Sequence, residues 1–183
     1  MSKTEKVKLS FVQLCWHYSV VPFLLITPLL FSLDLLNYYV LRKYDGVREP
    51  SELMTISLFF IAFSILFYFI QKRRLRFSEF NIHYTKDAFD KALKKTSEEL
   101  KWKIIEKRKC YVRAYRNWDG SASWGELITI KQDNGRILIN SICNPEAILI
   151  SVISYGWNRK NVRTFIDNLS NHSTFADKVS VDK

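Results

Sequence analysis

The chain has 183 residues, a formal net charge of +10, 48% hydrophobic and 25% charged residues, and three cysteines. This length holds one modest domain beside a membrane part, not several domains. Cys15, Cys110 and Cys143 are far apart and form no Cys-x-x-Cys pair, which excludes a disulfide framework and a cysteine zinc site and fits a reducing compartment.

The charge is unevenly spread. Residues 72–183 carry 22 of the 28 Lys and Arg and 13 of the 18 Asp and Glu, so nearly all the positive excess lies there. A basic region next to a membrane points first to anionic lipid headgroups and only then to nucleic acid.

In chain order, Lys3, Lys6 and Lys8 come first. Residues 9–33 then contain no Asp, Glu, Lys or Arg. This run is too long for the core of a cleavable signal, and no small-x-small site follows it. A first membrane span is expected at about 18–40, with Trp16, His17, Tyr18, Tyr38 and Tyr39 at headgroup level and Pro22 and Pro28 inside. Asp34 is an intramembrane carboxylate and thus a candidate functional group. The plainer reading is that it reaches the interface or a loop cation. The run 53–71 is uncharged and just long enough to span about 30 Å of hydrocarbon. Lys72, Arg73, Arg74 and Arg76 follow it directly. Seven basic residues flank the terminal sides of the two spans, against Arg42, Lys43 and Arg48 in the connecting loop. Both termini are therefore expected in the cytoplasm.

Residues 77–84 read as a connector. A helix is expected from Thr85, a good N-cap, with Phe89, Leu93, Thr96 and Leu100 on one face. Strands follow at 102–106, 111–116, 124–131 and 136–143. Asn134-Gly135 between the last two is a strong hairpin signal. Residues 146–153 read as a fifth strand or a packed loop. A last helix is expected from Asn158, as its cap, to about Leu169. The expected fold class is α+β: residues 1–76 form a two-helix transmembrane hairpin. Residues 77–172 form a small two-layer cytoplasmic domain, in the order helix, four- to five-stranded antiparallel meander, helix. Residues 173–183 form a flexible tail.

Three constellations carry possible chemistry. The loop from Ser154 to Asn161 offers Ser154, Gly156, Asn158, Arg159 and Lys160 at a helix start, a candidate site for phosphate, a lipid headgroup or a carboxylate. The plainer reading is a capped helix with solvated cations. The first strand pair interleaves Lys101, Lys103, Lys107, Arg108, Lys109, Arg113 and Arg116 with Trp102, Tyr111, Tyr115 and Trp118. That mixture suits single-stranded nucleic acid, an anionic leaflet, or merely an exposed strand face. The three histidines, His17, His83 and His172, are scattered, and no hydrolase or phosphate-loop motif occurs. Cys143 at a strand end reads as a small core residue.

Gly-Glu-Leu-Ile-Thr-Ile (125–130), Ile-Leu-Ile-Asn-Ser-Ile-Cys-Asn-Pro (137–145) and Gly-Trp-Asn-Arg-Lys-Asn-Val (156–162) resemble segments of uncharacterised membrane-anchored proteins of Bacteroidota bacteria. The resemblance covers about residues 85–170. It implies an inner-membrane setting and carries over no activity and no site residues. The sequence therefore leads us to expect an integral inner-membrane protein with no catalytic residue, metal or cofactor. Its cytoplasmic domain is expected to bind or regulate a protein partner, with homo-oligomerisation through the hairpin as another route. The alternative is a module for anionic lipid or phosphate at the membrane surface. Nucleic acid ranks behind both.

Overall fold

A computed structural model describes residues 5–120, 123–133, 135–146 and 154–181, with side chains as far as Ser173. The fold is α+β: a hairpin of two apolar helices near the N-terminus, followed by a five-stranded antiparallel sheet with two helices on one face.

Helix α1 (Phe11–His17) is short and opens with a capping box, in which Ser10 and Gln13 satisfy each other's backbone N–H groups. Helix α2 (Val20–Leu36) is apolar all round and runs on through a π-helical turn (Asn37–Leu41), which ends where Arg42 takes a left-handed conformation. Helix α3 (Pro50–Arg74) starts on Pro50, whose fixed φ suits a first turn, and ends on three cations that complement its dipole. Val20–Leu41 and Pro50–Arg74 are long and apolar enough to cross a membrane, and few of their residues are buried. A core helix of a water-soluble protein would hide such residues, whereas Phe23, Leu29, Leu33, Phe59 and Phe69 all lie exposed. The two helices meet along Leu53, Ser57, Ser64 and Gln71, and the Ser64 hydroxyl donates to the Val21 carbonyl at 3.2 Å. A seven-residue spacing of small and polar residues lets two such helices approach closely.

The sheet order is β1-β5-β4-β3-β2, with β1 Ser78–Asn81, β2 Trp102–Arg108, β3 Tyr111–Asn117, β4 Gly125–Asp133 and β5 Arg136–Cys143. Strand β1 corrects the sequence reading, which makes residues 77–84 a connector. It pairs with β5 from Ser78↔Ile139 to Asn81↔Arg136. Four mixed residues are too short to show a period, and the pairing is dictated by the partner edge. The segment expected as a possible fifth strand, 146–153, lies outside the described residues from 147 onward. Pairing of Asp133 with Arg136 closes a two-residue turn, as Asn-Gly demands, and Gly135 sits at φ +80°. Asn134 itself lies outside the described residues.

Helices α4 (Lys86–Leu100, capped by Thr85) and α5 (Trp157–Val181) cover one face. Phe89, Leu93 and Leu100 from α4, with Phe165 and Leu169 from α5, pack on Val112, Ala114, Ile128, Ile130, Ile137 and Ile139. Helix α5 starts at Trp157, one residue before the expected start, so Asn158 is not its cap. It also continues to Val181 where a tail is expected from residue 173.

The opposite face of the sheet is covered by the chain's own beginning. Val7 packs with Phe77 and Leu138, while Leu75, Leu127 and Ile142 form an adjoining cluster, and Leu9 touches both. The backbone pairs antiparallel across Lys6 and Arg76: Val7 N–H donates to Leu75 O at 2.9 Å and Phe77 N–H to Glu5 O at 3.2 Å. Gln13 reaches both Arg113 and Glu146. His17 and Gln71 exchange hydrogen bonds between side chain and backbone in both directions. Residues 5–19 thus form a strap that ties the foot of the helical hairpin to the sheet.

Candidate anion-binding site

Helix α3 does not stop cleanly at the edge of its apolar run. Leu75 and Phe77 insert into the clusters beneath the sheet, and this anchors the basic stretch between the helix and β1. The Asn140 side-chain amide donates to the Arg74 and Arg76 carbonyls, both at 2.7 Å. These bonds fix the backbones of Arg74 and Arg76 beside the end of β5 that β1 leaves uncovered.

From the other side comes the start of α5. Tyr155 (φ 47°) and Gly156 (φ 86°) turn the chain, and Trp157 N–H donates to Ser154 O at 2.9 Å. The Trp157 ring carries the Arg116 guanidinium 3.6 Å from its centroid and the Lys160 ammonium at 4.2 Å. Arg116 is itself immobilised: its Nε lies 2.8 Å from Glu126 Oε2 and its Nη1 3.0 Å from Asp119. Arg116 and Glu126 are 1% and 0% exposed. Burial pushes the Glu126 carboxyl above its ordinary value, and Ser123 and Arg116 pull it part of the way back. One polar chain then links Trp102 to Asn161 (3.0 Å), Asn161 to Ser141 (3.0 Å) and Ser141 to Asn158 (3.2 Å). The buried ion pair therefore sets Trp157, and Trp157 and Asn161 set the first turns of α5.

Between these two parts lies a cavity of about 870 Å³. Arg73, Arg74 and Arg76 line it from α3 and its extension, and Arg159 and Arg163 from α5. Ser78, Asn140, Ser141, Ser154, Gly156 and Asn158 supply polar groups, and Phe80 and Val162 apolar surface. Among the described residues, no Asp or Glu lines it. Asn140 is 5% exposed, and its side-chain oxygen has no hydrogen-bond partner among the described residues. Five guanidinium groups, with no carboxylate among the described lining residues, give the cavity permanent positive charge and planar forks of donors, a lining whose chemistry suits an anion.

The two basic candidates of the sequence, the flank after the second span and the loop before the last helix, thus meet in one place. Arg73, Arg74, Arg76, Ser154, Gly156, Asn158 and Arg159 all line the cavity. Lys72 and Lys160 do not: their ammonium groups lie over the rings of Tyr68 and Trp157. Asp34 is half-buried near the far end of the helical hairpin, and no ion pair involves it among the described residues. Ser78, Asn140, Ser141 and Arg163 were not singled out from sequence. Arg163 stands four residues after Arg159, on the same helical face. Asn140-Ser141 breaks an otherwise apolar strand.

The basic and aromatic residues of strands β2 and β3 are only partly presented to solvent. Trp102 and Arg116 are buried, Lys107 pairs with Asp90 at 2.9 Å, and Arg113 is turned toward Gln13. Cys143 is buried, and no cluster of three metal-ligating side chains occurs among the described residues. No protein-family model, curated protein or solved structure matches this chain.

Proposed function

We propose that this chain is a multi-pass inner-membrane protein with both termini in the cytoplasm, and that its α+β domain is a non-enzymatic module that binds a phosphate-bearing anion at the membrane surface. The observation that carries this reading is the gathering of five arginines, with no acidic residue among the described lining, around one cavity at the end of an apolar helix. The surplus of Lys and Arg on the terminal side of both helices supports the orientation. Of the two functions expected from sequence, the geometry favours the lipid or phosphate module over the protein-binding one.

The test uses the full chain in neutral phosphatidylcholine nanodiscs. Inorganic pyrophosphate or anionic lipid should protect the amides of residues 154–163 from hydrogen exchange. That protection should be saturable, should fade with salt, and should be lost in the double variant Arg159→Gln, Arg163→Gln. Protection by neither anion overturns the reading.

A protein partner is the second reading, favoured by the outer strand β2, where Ile104 and Ile105 lie exposed next to a bulge. Such an edge can accept an added strand. Ile104→Lys with Ile105→Lys should then abolish co-purification of a partner from gently solubilised membranes, and unchanged co-purification overturns it.

A further inference from the structure

We propose that the occupant of the arginine cavity is a lipid bearing a terminal phosphate, as a monoester or a diphosphate, in preference to phosphodiester lipids. This rests on the anion-binding reading above and names the chemical class of its ligand.

The depth of the site argues for a lipid. Phe69 is still exposed on the apolar surface of α3, whereas Arg73 and Arg74 already line the cavity. At 1.5 Å per residue, these arginines lie only about 6–8 Å further along the axis. One polar headgroup layer of a bilayer is about 5–7 Å thick. Helix α1 marks the same depth independently. Phe11, Val12 and Trp16 are exposed on a seven-residue helix at this end of the hairpin, and aromatic and apolar groups of that kind sit at the interface. The arginines therefore stand where lipid phosphates lie. Phe80 and Val162 add apolar lining that a hydrated inorganic ion has no use for.

The charge of the site argues for a terminal phosphate. A phosphodiester carries one negative charge and two free oxygens. A terminal monoester carries about 1.5 to 2 charges and three strong acceptor oxygens. Five guanidinium groups, with the Ser78 and Ser154 hydroxyls beside them, provide more charge and more donors than a phosphodiester can use.

The experiment measures which lipids the purified full chain retains. Nanodiscs of phosphatidylcholine are doped equally with phosphatidic acid and phosphatidylglycerol, and the protein is released and examined by native mass spectrometry. Phosphatidic acid should be retained about tenfold over phosphatidylglycerol. The preference should shrink below pH 6, where the second ionisation of a terminal phosphate is reversed. Arg159→Gln with Arg163→Gln should abolish it. Arg159→Lys with Arg163→Lys should weaken it by losing the fork while keeping the charge. Lys91→Gln with Lys94→Gln, on the exposed side of α4, should leave it unchanged and so exclude a mere effect of net charge. Equal retention of both anionic lipids overturns the terminal-phosphate inference and leaves the anion site standing. Retention of neither, with pyrophosphate still protecting residues 154–163 in neutral discs, overturns the lipid source in favour of a soluble phosphate. No binding of any of the three overturns this inference and the functional reading together.

Discussion

Gly125 is held at φ +114°, and a Cβ added there would lie 2.5 Å from the Arg116 carbonyl oxygen. Both the backbone strain and the contact with a rigid backbone atom oppose any side chain. Gly125→Ala should lower stability by about 3 kcal/mol or more, read as a fall in the thermal midpoint of the full chain. The same substitution should loosen the Arg116–Trp157 stack, because Arg116 is the residue pushed aside.

His17 shows how single groups respond to acid. Burial pulls its pKa below the ordinary histidine value, the hydrogen bond to the Gln71 carbonyl works against that, and the Arg74 cation adds a smaller push downward. A depressed pKa means that the neutral ring is the folded form. Its contribution is complete above about pH 6.5 and disappears as pH falls through the folded value. The protection factors of residues 10–19, taken against the intrinsic exchange rate at each pH, should therefore fall between pH 7.5 and pH 5. His17→Gln should remove that pH dependence, and an unchanged profile in the variant would refute the assignment. At this scale the sequence was only partly readable. It displayed His17 and Gln71 at the membrane edge but not that they face each other, because that depends on how two helices 54 residues apart in sequence come together.

Among the elements, those with a strong period or a specific turn were legible. The apolar stripe of α4 and the four strands from Trp102 to Cys143 lie close to where alternation and helical spacing put them. The hairpin between β4 and β5 was readable for a chemical reason, since Gly135 takes positive φ at no steric cost. Nothing lies within 4 Å of a Cβ built at that position. Gly135→Val should thus cost only the backbone strain, about 1–2 kcal/mol, less than Gly125→Ala, and denaturant midpoints of the two variants should fall in that order. Strand β1 and the strap were not legible as sheet and cover. Lys6-Val7-Lys8-Leu9 does alternate, and the structure buries Val7 and half-buries Leu9 while leaving both lysines out. Yet four residues of alternation beside a long apolar run read first as a topogenic charge cluster. The cavity likewise needed the third dimension, since 85 residues separate Arg74 from Arg159.

At the scale of the whole molecule, the apolar hairpin and the sheet domain share the strap, so cutting the chain before Lys72 removes part of the cover of the sheet. That cut would take Val7, Leu9 and Tyr18 away from Leu127, Leu138 and Ile142, which are 3%, 7% and 1% exposed in the intact chain, and leave only Leu75 and Phe77 against them. Burial of one such side chain contributes about 1.5–3 kcal/mol, so losing their cover threatens a domain of this size. A fragment of residues 72–183 should bind a hydrophobic dye and elute as aggregates in size exclusion. Joining residues 5–9 to residue 73 through a short Gly-Ser linker should yield a monodisperse fragment, because residues 5–7 pair antiparallel with residues 75–77 and need only a turn between them. If the bare fragment is soluble and well ordered, the strap is not part of the domain's fold.

The strap also sets a timetable. Val7 is made at the beginning of synthesis and its partner Leu138 more than 130 residues later. At 5–20 residues per second the first must wait several seconds for the second. A free chain would have to close that long loop by diffusion, the kind of distant pairing that slows folding. Here the two packed helices replace the search. Once they are side by side, axes about 8–10 Å apart, the strap leads into one and the first strand leads out of the other. The two ends of the loop then meet as neighbours at a high local concentration. Docking of the two helices is in this sense the nucleating step for the sheet domain, because it brings together the two chain segments that close the second face of the sheet.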